Sequence, residues 1–225
     1  MFNIENLIWY LLCIPASLIS LTVHEFAHGY AAYKLGDPTA KAYGRLTLNP
    51  LAHLDPIGTV CMVLFRFGWA KPVPVNPRYF RNPRNGMAIT AAAGPISNLI
   101  LAVLSALFVL LTGELTSVLY PYIGGNAFLV NFMLYLQFFF QVLHILNLTL
   151  CVFNLIPLPP LDGSRILYVF LPDKYYFGVM KYERTIRLVL LIALALGAFT
   201  GIVGTFTDIL SNLIYKLWLL IPFFA

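Results

Sequence analysis

The sequence predicts an all-α membrane protein: a bundle of about four to six transmembrane helices, with a re-entrant and short extended element between the first two spans. Two observations carry that class. Of 225 residues, 60% are hydrophobic and only 10% charged, with a mean hydropathy of +0.82, whereas soluble domains carry about 25% charged residues. The apolar residues also gather into runs, and a helical run of about 20 residues crosses a ~30 Å hydrocarbon core.

The first such run is 7–33, interrupted by only three strongly polar residues, His24, Glu25 and His28. No positively charged segment precedes it, so it reads as a retained helix rather than a cleaved signal. Gly36-Asp37-Pro38 ends it. A mixed loop over 39–55 leads to the apolar stretch 56–67, too short to span and hence re-entrant or interfacial. Prolines at 72, 74, 77 and 83 follow, and Val73 and Val75 between them suggest a short extended segment. The second span is expected over 86–112, a loop over 113–126 and the third span over 127–156. A proline-rich turn and a short helix precede charged residues near 174–187. A fourth span is expected over 187–204, and 208–222 returns or lies along the interface. With no repeat and no low-complexity tract, residues 1–225 read as one integral-membrane domain, with a core at 7–171 and C-terminal helices at 184–222.

The net charge of +5 does not indicate nucleic-acid binding, because Lys and Arg sit in short loops between apolar runs. There they set topology. Lys34, Lys41 and Arg45 form one group, Arg66, Lys71, Arg78, Arg81 and Arg84 a second, and Lys174, Lys181, Arg184 and Arg187 a third. All three are expected on the cytoplasmic side of the cell membrane, facing an anionic leaflet. The segment 113–126, free of Lys and Arg, belongs on the far side with the N-terminus. Cys13, Cys61 and Cys151 have no paired spacing and indicate neither disulfides nor a Cys-based metal site.

The chemistry lies in the first span, which reads His24-Glu25-Phe26-Ala27-His28. Histidines at i and i+4 share a helix face and grip one metal ion. Glu25 is rotated by about 100° per residue, consistent with 3.6 residues per turn. It is therefore read as a general base toward the attacking water and not as a ligand. Three ionisable residues in one intramembrane turn indicate function by default. Catalytic zinc uses three protein ligands, and Asp162 is the best remaining candidate, set by the prolines of Asn154-Leu-Ile-Pro-Leu-Pro-Pro-Leu-Asp162-Gly163 just past the third span. One zinc per chain is expected.

Together, HEFAH, AAAGPISN at 91–98 and NLIPLPPLDG at 154–163 resemble the site-2 protease family of intramembrane zinc metalloproteases. NPLAHLDPIGT at 49–59 and GWAKPVPVNP at 68–77 are similar to its compact bacterial and archaeal branch, in which no PDZ or CBS domain is expected. The resemblance implies His24, His28 and Asp162 as zinc ligands, Glu25 as catalytic base and Asn154 as a helper near the scissile carbonyl. It also implies regulated cleavage of transmembrane protein substrates within the lipid bilayer.

Supporting residues follow from helical phase. Gln137, Gln141, His144, Asn147, Cys151 and Asn154 form one polar stripe on the third span, read either as a water path to the metal or as interhelical hydrogen bonding. Asn98 on the second span and His53 in the re-entrant region are possible neighbours of the ligands, and His53 is an alternative ligand. The competing reading is a zinc-binding membrane protein without catalysis, a transporter or inactive scaffold. A transporter strings its ligands along a pathway, whereas these cluster at one depth and include Glu25.

Overall fold

The computed structural model describes residues 4–65, 68–172 and 182–221. Arg66, Phe67, Lys174, Lys181 and Pro222 lie outside them. Among the described residues eight α-helices follow one another: α1 (Ile4–Lys34), α2 (Thr39–Ala42), α3 (Pro56–Phe65), α4 (Pro83–Ile123), α5 (Ala127–Asn154), α6 (Asp162–Leu167), α7 (Glu183–Ala195) and α8 (Thr200–Leu219). Among the described residues there is no strand, only an antiparallel bridge between Leu54 and Ala70. Three helices among the described residues are long and apolar enough to cross a membrane: α1 from Leu11, α4 and α5.

The distribution of polarity is that of a protein solvated by lipid. Leu11, Ile14, Ile100, Phe108 and Phe132 are exposed on the spans, while Ser20, Asn98, His144 and Asn147 are fully buried between them. Hydrocarbon cannot satisfy such polar groups, so they turn inward and bond across helices. α4 is the central element and packs on α1, α5, α6 and α8. Its Ala102 and Ala106, with no side chain beyond a methyl, let Leu148 of α5 and Ile214 of α8 close over it.

Two expected boundaries move. The loop foreseen over 113–126 is helical to Ile123, so α4 runs 41 residues, about 60 Å at 1.5 Å per residue. Gly113 does not stop the helix; it is a packing position, where a Cβ would lie 3.0 Å from Nε2 of Gln137. The turn to α5 needs only Gly124, Gly125 and Asn126, whose side chain caps Phe128 and Leu129. The continuous span foreseen over 187–204 is broken between α7 and α8. Gly197, at φ +75°, places its N–H on Leu194 O and the next N–H on Ala193 O, the glycine-terminated cap that ends a helix.

Before α3 the chain turns back along the first span, where Leu48, still 62% exposed, and Pro50 line an open groove with Leu18, Ile19, Thr22 and Val23 of α1.

Candidate metal centre

Two helices, α1 and α6, bring three side chains to one point. α1 brings His24 and His28 one turn apart, with Nε2 atoms 3.0 Å from each other. Asp162, the first residue of α6, places Oδ2 at 3.3 Å from both. These three are the one group of potential metal ligands among the described residues. Ligand atoms around a tetrahedral zinc at 2.0–2.1 Å are about 3.3 Å apart, so the triangle has the size the ion requires.

Protonation is fixed by what lies behind each ring. Nδ1 of His24 is 2.6 Å from Oδ1 of Asn98, and Nδ1 of His28 is 2.7 Å from Thr90 O. Both partners are acceptors, so each Nδ1 carries the hydrogen and each Nε2 presents a lone pair to the common point. That is the tautomer a metal ligand needs, held by the outer partner it usually has. Oδ2 of Asp162 is buried and has no hydrogen-bond partner, an expensive state that a cation there relieves. The residues fit a zinc ion by size, donor type and protonation.

Asn98 belongs to a buried network. Its Nδ2 donates to Ser20 O and to Asn147 Oδ1, and Asn147 donates to Ser20 Oγ and Leu143 O. α1, α4 and α5 thus fix the ring of His24 jointly. Asn147 was legible only as one member of the polar stripe; its part in supporting His24 needs the helix pairing. The rest of the stripe divides. His144 donates from Nδ1 to Ala102 O and accepts from Ser211 at Nε2, and Gln137 reaches Val109 O, both interhelical bonds. Gln141 is exposed, so it does not share the buried face of the stripe. Asn154 donates to Leu150 O on its own helix and makes no hydrogen bond to the triad.

His53 is not in the cluster. It is 1% exposed, bonds Thr47 O through Nε2 and accepts Lys71 N–H at its own carbonyl, so it pins the extended segment to the preceding loop. Glu25 is buried beside the histidines, and its Oε2 accepts the N–H of Val73 at 2.8 Å. The extended element foreseen around Val73 therefore touches the general-base candidate directly.

Two glycines make room. A Cβ on Gly94 would lie 2.5 Å from Nε2 of His28 and 2.6 Å from Cε1 of His24. A Cβ on Gly163 would lie 2.2 Å from Leu155 O, so glycine lets α6 abut the end of α5 and sets Asp162 in place. Gly94→Ala should strip zinc from the purified protein, with both imidazoles displaced by a collision at under 3 Å. Metal analysis checks this, and a full equivalent of zinc in that variant would contradict the close fit.

A helical membrane bundle with two histidines and an aspartate converging on one point, and a glutamate beside them, defines a metallopeptidase type of centre. The model of peptidase family M50 matches residues 13–200, and the chain belongs to that family, the site-2 type of intramembrane zinc metalloprotease. The chain is 48% identical to YwhC of Bacillus subtilis strain 168 over 155 residues, 69% of this chain and 67% of that protein. It is 31% identical to Rip2 of Mycobacterium tuberculosis strain Erdman over 219 residues, 92% of this chain and 77% of that one. The names of both provisionally assign them as zinc metalloproteases. No solved structure matches the chain.

Proposed function

We propose that this protein is an endopeptidase that cuts transmembrane protein substrates within or next to their membrane-spanning segments. It would use one zinc ion held by His24, His28 and Asp162. The observation that carries the reading is the convergence of two lone-pair Nε2 atoms and the unpartnered Asp162 Oδ2 beside a buried Glu25. Bound zinc supplies polarisation of the scissile carbonyl and acidification of the attacking water. Glu25 takes the proton of that water on a carboxylate oxygen and returns it to the leaving amine. Asn154 shares the developing negative charge of the carbonyl once its amide leaves Leu150 O. Val73 and its neighbours, between prolines and without a partner strand among the described residues, offer backbone along which an unwound substrate pairs.

The basic residues support a cytoplasmic location of the site. His28 lies about 9 Å before Lys34 along α1 at 1.5 Å per residue, and Lys41, Arg78, Arg81 and Arg84 flank the same end of the bundle. Arg45 does not count among them, because it is buried. Purified protein in liposomes should cut single-span substrates near their cytoplasmic end, where Gly, Pro or Asn weakens the helix, and a chelator should stop it. Mass spectrometry of the products reads the position. Cuts clustered at the far end, or cleavage indifferent to chelator, would overturn the proposal. Cysteine introduced at Arg81 should be labelled only from the cytoplasm and at Ser117 only from outside; the reverse pattern inverts the protein.

A further inference from the structure

Asp37 and Arg45 are ionisable residues sealed inside the protein and unused by the chemistry above. Asp37 is 0% and Arg45 7% exposed, and neither makes a salt bridge among the described residues. Each is delivered by the same local device. Gly36 (φ +102°) and Gly44 (φ +66°) adopt a left-handed conformation that only glycine takes without strain. Each closes a helix-terminal cap in which the following residue bonds back five positions, Asp37 N to Ala32 O and Arg45 N to Ala40 O. The caps turn both side chains toward one target, the segment from Lys71 to Asn76.

The contacts on that segment are specific. The Arg45 guanidinium donates to Lys71 O. Asp37 spends one carboxylate oxygen on the N–H and hydroxyl of Thr39 and the other on the N–H of Asn76, at 2.7 Å. Between these two points Val73 gives its N–H to Glu25. Val73 also seats over Gly29, one turn beyond Glu25 on α1, where a Cβ would lie 3.3 Å from its side chain. A buried carboxylate and a buried guanidinium are costly to place, and both are directed at backbone groups on either side of the one amide that touches the base.

We propose that Asp37 is a positioning residue: with Arg45 at the other end, it fixes the register of Lys71–Asn76 so that the Val73 amide holds the Glu25 carboxylate in its working orientation. It touches neither substrate nor reacting atoms, and acts through the segment. The proposal rests on the hydrolytic reading above. A displaced catalytic group costs rate and not substrate affinity.

Asp37→Asn is the selective test. Its remaining oxygen still caps Thr39, but its NH₂ opposes the N–H of Asn76, donor against donor. In zinc-loaded full-length protein, kcat on a single-span peptide should fall about tenfold or more with KM within about twofold. Zinc stays at one equivalent, and the Val73 amide should exchange at least about tenfold faster than in wild type as its bond to Glu25 opens. Val73→Pro removes the donor itself at a site already flanked by Pro72 and Pro74. It should lower kcat to a similar extent, and the double variant should fall no further than either single one. A folded Asp37→Asn protein with wild-type kcat and wild-type exchange at Val73 overturns the proposal. So does a Val73→Pro protein with undiminished kcat, which decides the matter if Asp37→Asn does not fold. If wild type cleaves nothing, the protease reading fails by itself, while exchange at Val73 in Asp37→Asn still reports on the clamp.

Discussion

Glu25→Gln is expected to lower kcat by about 10²–10⁴-fold, the range of a positioned general base, and to leave one zinc per chain bound. Glutamine keeps the length and the oxygen that accepts the Val73 N–H, but it cannot take a proton from water. The ligand atoms of His24, His28 and Asp162 are untouched. The pairing of outcomes matters more than either one. Lost activity with lost metal would mean that Glu25 shapes the metal centre, and retained activity would place the base elsewhere. It also separates catalysis from the transport or scaffold alternatives, which have no use for a proton acceptor at that position.

The second large effect is expected at Asp162. Asp162→Ala removes one of three converging donors and should cost both zinc and cleavage, with metal content well below one equivalent after dialysis. Asp162→Asn keeps an oxygen at the same place without the charge and should hold zinc weakly. His53 cannot take over, because it lies outside the cluster that the three ligand candidates form. Full zinc content in the Ala variant would therefore require a ligand that the described residues do not supply.

Much of the centre was legible in the sequence because its carriers are local. His24 and His28 share a helix face by spacing alone, and Asp162 is marked by the prolines that end the third span. The three long spans follow from hydropathy, and Asn98 from its place at the end of AAAGPISN on the second span. What was not legible depends on pairings distant in sequence. Asp37 read as part of a helix-breaking Gly-Asp-Pro and Arg45 as a topology charge, yet both are buried against a segment some thirty residues later. The reach of Asn147 to His24 through Asn98 needs the packing of α4 on α5. Gly94 is only one residue of AAAGPISN in the sequence, and its missing Cβ meets both imidazoles only through the packing of α4 on α1. The break at Gly197 was hidden because apolar residues continue on either side, and hydropathy does not register a left-handed glycine.

One titration bears most directly on a zinc centre built from His24, His28 and Asp162 that cleaves peptide bonds. Protein stripped by a chelator and dialysed is returned to zinc in steps, with cleavage of a single-span peptide followed at each step. Activity should start near zero, rise in proportion to zinc and level off at one equivalent per chain, with the Glu25→Gln protein binding the same equivalent and staying inactive. Full cleavage by the metal-free protein, or a Glu25→Gln protein that regains activity along the same curve, would contradict it.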